Sequence, residues 1–162
     1  MQDRYWSFLT QKKYELVYYE LYFYRAVKTN RTIKIATTLT SIITLGFWAM
    51  FGENSIWYSI IILCTQIISV LNDLLPYQRR VDELSEIRAR LKVVYSEIEH
   101  NWLKIAAGST TDNQTNEIRT DLSRKWDSVE NLFLQKDALP RVKRLLYKAD
   151  AEKNKYIQNT FF

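Results

Sequence analysis

The sequence predicts an all-α membrane protein with an N-terminal amphipathic helix, a two-helix transmembrane hairpin and a cytoplasmic helical coiled-coil region. Three observations lead to this fold class. Of the 23 basic and 18 acidic residues, only Glu53 lies strictly between Lys34 and Asp73. Apolar residues on either side of this stretch recur at helical rather than strand spacing. Two uncharged runs inside it are each long enough to cross a hydrocarbon layer. The alternative to a transmembrane hairpin is a buried helical hairpin in a soluble bundle.

Residues 1–32 predict a cytoplasmic helix that is unusually rich in aromatic side chains. The residues that recur at helical spacing are Trp6, Leu9, Leu16, Phe23 and Ala26. In the segment YELVYYELYFY aromatic residues surround the helix, so we expect more than one of its faces to be covered. Two interpretations stand at this point. The helix lies at the headgroup layer or in a subunit interface, or it packs against the C-terminal helices of the same chain.

Residues 33–76 predict the transmembrane hairpin, with spans at 33–51 and 55–75. The uncharged runs cover residues 35–52 and 54–72. At about 1.5 Å per residue each is roughly 27–29 Å long, close to the thickness of a hydrocarbon core. Only residues 52–55 link the spans, so the two helices are expected to be antiparallel neighbours. The aromatic residues flanking this link, as expected at a membrane boundary, are Trp48, Phe51, Trp57 and Tyr58.

The distribution of basic residues predicts how the hairpin is oriented. Several basic residues precede the first span and follow the second, whereas the link has none. By the positive-inside rule, both termini are expected in the cytoplasm and the short link outside. The net charge of +5 suits an anionic lipid leaflet. Because basic and acidic residues are interleaved, no nucleic-acid partner is expected. Cys64 is the single cysteine, so it forms no intrachain disulfide.

Residues 77–162 predict a cytoplasmic helical and coiled-coil region. An a/d seam over about three heptads predicts a coiled coil between copies of the chain. Its positions are Leu84, Ile87, Leu91, Val94, Ile98, Asn101 and Ile105, of which only Asn101 is polar. Trp102 lies beside the seam. The helix is expected to continue from the second span and to end near Gly108, which suits a helix C-cap.

Two further helices are expected after the seam. The segment GSTTDNQTN is the clearest loop signal, and a helix is predicted from about residue 116 to residue 137, folding back along the seam helix. Pro140 suits the first turn of a last helix. Four basic residues on that helix could contact lipid phosphates or an anionic ligand, although such a run is more often a solvated face. They are Arg141, Lys143, Arg144 and Lys148.

Polar residues inside the predicted spans are the candidate site. In the first span Thr37, Thr40, Ser41 and Thr44 fall on one helical face. In the second span Ser59, Gln66 and Asp73 share a face, with Ser69 near its edge. Because polar groups in hydrocarbon are costly unless they are satisfied, two roles follow. These side chains hydrogen-bond between packed helices, or they line a water-filled pore formed by several hairpins.

No catalytic or cofactor-binding constellation is evident in the sequence. His100 is the single histidine, and Cys64 lies within a predicted span, so the two cannot form a nucleophile pair. The chain lacks the ligands of a zinc site, and its three glycines do not form a phosphate-binding loop. We therefore expect neither enzymatic activity nor a cofactor.

The arrangement resembles the SLATT-type two-transmembrane effectors of bacterial conflict and phage-defence systems. The resemblance rests on YELYFYRAVKTNRTIKIATTLTSIITLGF, on the second span IWYSIIILCTQIISVLNDLLP and on RRVDELSEIRARLKVVYSEIE. It covers most of residues 10–105. It implies an oligomeric effector that permeabilises the inner membrane when a cytoplasmic sensor protein or signalling ligand reports infection. The resemblance does not extend to residues 116–162.

Two other functions fit the same pattern. A membrane-anchored coiled-coil scaffold could recruit a cytoplasmic partner without permeabilising anything. A holin-like lysis protein is a third alternative, but the long cytoplasmic helical part argues against it. The first hypothesis, a regulated pore or membrane-disrupting effector, assigns membrane lipid and further copies of the chain as partners.

Overall fold

A computed structural model describes residues 1–51, 59–60, 62–64, 66–67, 77–134 and 139–161. Within these residues, the side chains at 40–41, 43–51, 77–79 and 133–134 are not described. The helices that are described from end to end are α1 (Gln2–Phe51), α2 (Tyr77–Ala106), α3 (Asp112–Leu134) and α4 (Lys143–Phe161). Every regular element in the described part of the chain is an α-helix, which confirms the all-α prediction.

The chain forms two compact units. The bundle unit comprises residues 1–23 and 83–162, and the middle unit comprises residues 24–82. Helices α1 and α2 each contribute residues to both units. The predicted link at 52–55 lies outside the described residues, and so does most of the predicted second span at 55–75.

Helix α1 is longer than either element predicted within it. The predicted cytoplasmic helix at 1–32 and the predicted span at 33–51 form one continuous helix of 50 residues. The sequence explains this continuity, because no proline or glycine occurs before Gly46 and nothing interrupts the backbone hydrogen bonds. At about 1.5 Å per residue the helix is roughly 75 Å long.

The turn between α2 and α3 begins at a glycine. Gly108 has a φ of 71°, in the left-handed region that favours glycine, and its N–H donates to the Ile105 carbonyl at 3.0 Å. The Ser109 N–H donates to the Lys104 carbonyl at 3.1 Å. The predicted end of the helix near Gly108 is therefore confirmed.

Helix α3 begins four residues earlier than predicted, inside the segment expected to be a loop. The Gln114 side chain accepts a hydrogen bond from the Thr111 N–H at 3.0 Å, and the Thr111 hydroxyl accepts one from the Gln114 N–H at 3.4 Å. This reciprocal pair is a capping box, which satisfies donors that a helix start would leave unpaired. Polar residues at 112–116 therefore belong to the first turns of the helix.

Helices α1 and α2 form an antiparallel pair at the centre of the bundle unit. The Gln2 side chain donates to the Ile105 carbonyl, and the Tyr5 hydroxyl donates to the Ile98 carbonyl, each at 3.0 Å. Further along α1, the Phe23 ring lies 4.4 Å from the guanidinium carbon of Arg88. Residue numbers rise along α1 as they fall along α2, so the two helices run in opposite directions.

Helix α3 packs against both members of this pair. On α1, the Lys12 ammonium lies over the Trp126 ring, 4.9 Å from its centroid. On α2, Glu97 accepts a hydrogen bond from the Lys125 ammonium at 3.0 Å. Thr115, Leu122, Trp126 and Val129 are the buried residues of this helix.

Helix α4 also packs against both α1 and α2. The Lys153 ammonium lies 6.0 Å from the centroid of the Tyr14 ring of α1. The Glu99 carboxylate of α2 accepts a hydrogen bond from the Tyr156 hydroxyl. Ala149 is the buried residue of α4.

The contact positions show that α3 and α4 flank opposite sides of the α1–α2 pair. On α1, Lys12 contacts α3 and Tyr14 contacts α4. On α2, Glu97 contacts α3 and Glu99 contacts α4. In each helix the two positions are two residues apart, which is about 200° around the axis. The order across the bundle unit is therefore α3, the central pair, then α4.

The bundle core contains the seam that was predicted to join copies of the chain. Leu84, Ile87, Leu91, Val94, Ile98 and Ile105 are all buried within the single chain. Asn101 is partly exposed, and its side chain donates to the Glu97 carbonyl of its own helix at 2.9 Å. The apolar seam is real, but within one chain its residues already belong to the α1–α2 core. A coiled coil between copies through these residues stays a prediction.

Aromatic residues of α1 complete this core. Tyr5 and Leu9 are fully buried, and the Tyr5 ring stacks on Trp102 with a centroid distance of 6.2 Å. Tyr18 and Tyr19 are also buried. Of the two interpretations of the aromatic helix, packing against the C-terminal helices of the same chain therefore describes residues 5–19.

Candidate functional site

The middle unit exposes an unusual number of aliphatic side chains. Ile35, Leu39, Ile42, Ile60, Leu63 and Ile67 are between 45 and 61 % exposed. We call these six residues the aliphatic surface. Single exposed apolar residues are ordinary, whereas large exposed apolar patches are typical of interaction sites. These six residues lie along two segments that contain no charged residue. Among the described residues, no helix is both long enough and apolar enough to qualify as a membrane span.

Three of the predicted polar site residues have described side chains. The Thr37 hydroxyl is placed to donate to carbonyls of its own helix, at 3.1 Å from that of Ile33 and 2.9 Å from that of Lys34. Its hydroxyl is thus satisfied locally, as is common for Thr in a helix. Ser59 and Gln66 are exposed in the single chain.

The remaining polar site residues cannot be placed beside these three. Thr40, Ser41 and Thr44 belong to α1, but their side chains lie outside the described ones. Ser69 and Asp73 lie outside the described residues altogether. The choice between a pore lining and hydrogen bonds between helices therefore stays a prediction.

A polar cluster inside the bundle unit was not predicted from the sequence. The Lys13 ammonium lies 3.2 Å from the centroid of the Tyr156 ring and 4.8 Å from that of Tyr95. Tyr156 donates its hydroxyl hydrogen to Glu99. These four residues join α1, α2 and α4. The signal in the sequence was that Lys13 lies seven residues after Trp6 and between Leu9 and Leu16, on the face that carries these apolar residues.

Burial controls the protonation of this cluster. Burial lowers the pKa of Lys13, while the nearby Glu99 charge acts in the opposite direction. Burial, and after it the Glu99 charge, raises the pKa of Tyr95. Burial and the hydrogen bond to Glu99 raise the pKa of Tyr156 to about 12. Both tyrosines are therefore neutral at physiological pH, and the cluster can fasten α4 to the central pair.

An open groove of about 630 Å³ lies between α1 and α4. Its lining residues are Thr10, Gln11, Tyr14, Lys143, Leu146, Tyr147, Asp150 and Lys153. The two lysines do not give it a purely basic character, because Lys153 pairs with Asp150 at 2.7 Å.

The predicted basic cluster lies at the start of α4 and is exposed. Arg141, Lys143, Arg144 and Lys148 are all exposed, and Lys148 pairs with Glu152 at 3.6 Å. Their side chains are accessible to an anionic partner, so contact with lipid phosphates or with a ligand stays a prediction. In the described part of the chain, no group of three or more His, Cys, Asp or Glu residues could hold a metal ion.

Comparisons of the chain with protein-family models, with curated proteins and with solved structures found no match.

Proposed function

We propose that this chain is an oligomeric inner-membrane effector that forms a regulated pore or disrupts the bilayer, with both termini in the cytoplasm. The resemblance to SLATT-type effectors supports a role in bacterial defence against phages. In this proposal the middle unit contacts lipid and the bundle unit controls it. The partners are membrane lipid, further copies of the chain, and a cytoplasmic sensor protein or signalling ligand.

The aliphatic surface carries the proposal. In water six half-exposed isoleucines and leucines would be unfavourable, because each keeps apolar area in contact with solvent. In hydrocarbon the same side chains are favourable. The sequence around them has no Lys, Arg, Asp or Glu from residue 35 to residue 72 apart from Glu53. A lipid environment is the partner that satisfies both observations.

The experiment compares two arginine substitutions at equally exposed positions. Ile42 is 61 % exposed in the middle unit, and Leu103 is 63 % exposed in the bundle unit. An arginine near the centre of a span costs about 2.5–3.5 kcal/mol, whereas one on a wetted surface costs little. We therefore expect Ile42→Arg to abolish depolarisation in cells carrying a membrane-potential dye, and Leu103→Arg to retain it.

Three outcomes would contradict this function. If the induced wild-type protein remains in the supernatant after ultracentrifugation without detergent, the membrane assignment is wrong. If activated cells keep their membrane potential while the protein is in the membrane, the scaffold is the better hypothesis. Abrupt release of cytoplasmic contents would indicate a holin.

Gln66→Leu separates the two roles of the polar residues. If Gln66 lines a pore, the variant assembles normally and its conductance changes, because the amide no longer contacts the permeating ions. If Gln66 hydrogen-bonds between helices, assembly itself is lost. Crosslinking measures assembly, and planar-bilayer recordings measure conductance. Ser59→Ala, an exposed hydroxyl on the same predicted face, serves as the matched comparison.

The scaffold remains the second candidate. The scaffold hypothesis depends on the coiled-coil seam. The apolar residues of that seam are buried within one chain, so the described side chains of α2 offer the scaffold no exposed apolar stripe.

A further inference from the structure

The two flanks of the bundle unit carry opposite charge. Helix α3 contains five acidic and three basic residues, and α4 contains five basic and two acidic residues. The exposed acids of α3 include Glu117, Asp121 and Asp127, and the exposed bases of α4 include Lys148 and Lys155. Because α3 and α4 lie on opposite sides of the central pair, one side of the unit is acidic and the other is basic.

Asp127 on α3 can be placed at a definite height along α1. Lys12 contacts Trp126, and the Tyr19 hydroxyl donates to Glu130 at 3.0 Å. Asp127 therefore lies level with the segment of α1 between residues 12 and 19. Trp126 is fully buried whereas Asp127 is exposed, so the carboxylate lies on the outer side of α3.

Lys148 on α4 lies at the same height. The Tyr14 ring is 6.0 Å from the Lys153 ammonium, and the Tyr18 hydroxyl accepts a hydrogen bond from the Val142 N–H at 3.2 Å. Lys148 is therefore level with the segment of α1 between residues 14 and 18. Its neighbour Ala149 is buried whereas Lys148 is exposed, so its ammonium lies on the outer side.

We propose that the acidic α3 flank of one copy binds the basic α4 flank of a second copy of this chain, with Asp127 opposite Lys148. This inference rests on the proposed function, because copies inserted in one membrane in the same orientation present these two residues at the same height. Tyr147, which is 78 % exposed and precedes Lys148 directly in α4, adds apolar area near the charged pair.

The geometry of such a contact leads to a ring. The contact joins two different surfaces, so it is heterologous, and every copy keeps one free flank of each kind until the assembly closes. A two-fold dimer would instead bury the same flank of both copies and stop there. A closed ring of bundle units would hold the middle units around a common axis, which a pore requires.

The first test uses crosslinking between introduced cysteines. In a Cys64→Ser background, the double variant Asp127→Cys/Lys148→Cys is treated in native membranes with a short bis-maleimide. We expect a ladder of covalent species that extends beyond the dimer. Each single variant is expected to stay monomeric, because equivalent residues do not meet in a heterologous contact. Asp127→Cys/Ser96→Cys is the matched control, since Ser96 is exposed on α2 and lies two residues before Ile98, on the side of that helix opposite α1.

The second test exchanges the charges. Lys148→Glu/Lys155→Glu and Asp121→Lys/Asp127→Lys are each expected to lose species larger than the monomer, because like charges then face each other. The four changes combined in one chain are expected to restore them. Misfolding cannot produce this restoration, so the combined variant separates repulsion from loss of structure.

Contradictory results are specific to this inference. A dimer from Lys148→Cys alone would indicate a two-fold contact through α4, and a ladder from the Ser96 control would indicate unspecific crosslinking; either overturns the proposal. Depolarisation by a wild-type protein whose double cysteine variant gives no ladder would reject the ring contact and leave the proposed function intact. Absence of both depolarisation and membrane association would reject the function itself.

Discussion

Trp126 of α3 contacts α1 through its ring, and its N–H binds a carboxylate of α3 that also binds α1. The indole is fully buried, and its N–H donates to Glu130 Oε1 at 3.0 Å. The same carboxylate oxygen accepts the Tyr19 hydroxyl at 3.0 Å, and the Lys12 ammonium lies over the indole ring. One residue thus combines apolar burial, a charge-assisted hydrogen bond and a cation–π contact.

Trp126→Ala is expected to lower the free energy of unfolding of the bundle unit by about 3–5 kcal/mol, the usual cost of removing a large buried aromatic side chain. Trp126→Phe keeps a ring and loses the N–H, so it is expected to cost less. Chemical denaturation followed by circular dichroism in detergent measures both. Equal costs for the two variants would show that the hydrogen bond to Glu130, and not burial, dominates.

The sequence predicted that Trp126 lies on the apolar face of its helix, but it did not predict the partial burial of Lys13. Leu122, Trp126 and Val129 repeat at helical spacing, so their common face is visible within one segment. Lys13 is stabilised by Glu99, and the two are far apart in the sequence. Periodicity along one helix carries no information about which charged residue of another helix will compensate a buried charge.

At the scale of whole elements, α4 is the least buried helix of the bundle unit. Ala149 is its buried residue, and it packs against Val17 and Tyr18 of α1. Tyr18 holds the start of the helix through two bonds. Its hydroxyl donates to the Pro140 carbonyl at 2.6 Å and accepts from the Val142 N–H at 3.2 Å.

Tyr18→Phe is expected to loosen α4 selectively. The substitution removes both hydrogen bonds but keeps the buried ring, so we expect a loss of roughly 1–2 kcal/mol. Hydrogen exchange should accelerate in the first turns of α4 and remain unchanged around Leu91 in α2. Tyr147→Phe removes an exposed hydroxyl on the same helix and is the matched control. Uniform acceleration in all four helices would contradict a local role for Tyr18.

Helix positions were predicted better than helix ends. The sequence indicated a helical element at each observed helix, but it placed a boundary inside α1 and a loop over the first turn of α3. The boundary at residue 32 came from a change in polarity, which alters what surrounds a helix without interrupting its hydrogen bonds. The observed start of α3 differs from the prediction because the composition of GSTTDNQTN favours a loop, although Thr111 and Gln114 within it have the spacing of a capping box.

For the molecule as a whole, buried tyrosines control how stability depends on pH. Burial raises the pKa of Tyr5, Tyr19 and Tyr95 well above the ordinary value, and that of Tyr156 to about 12. In the unfolded chain these groups lose their protons near pH 10. Between pH 10 and 12 the unfolded state therefore binds fewer protons than the folded state, and stability falls as pH rises.

We expect the bundle unit to keep its full tyrosine contribution below pH 10 and to lose stability steadily above it. The lowered pKa of Lys13 has the opposite effect on stability as pH rises, because the folded state favours the neutral form of this lysine. One lysine opposes four tyrosines, so the tyrosines determine the direction of the slope. Unfolding free energies at successive pH values measure the slope. Tyr5→Phe is expected to reduce this slope by about one proton. A wild-type slope of zero between pH 10 and 11 would contradict the assignment.

The sequence indicated which faces would be covered, but not what would cover them. The seam of α2 was expected to meet another copy, and in the structure it is buried with α1, α3 and α4 of the same chain. An apolar stripe gains similar free energy from burial against another copy or against helices of its own chain, because the hydrophobic effect is not directional. Partner identity depends on the length of the connecting segments and on topology, which residue spacing alone does not encode.

The antiparallel course of α1 and α2 has a practical consequence for isolating the bundle unit. The chain leaves the bundle unit after Phe23 and returns at Glu83, and the Phe23 ring lies 4.4 Å from the Arg88 guanidinium. The exit and the return are therefore near each other, and closing so small a gap costs little entropy. Simple truncation from either end would remove part of the core. A gene in which codons 24–82 are exchanged for a short glycine–serine linker would instead encode all four packed segments of the bundle unit in one polypeptide.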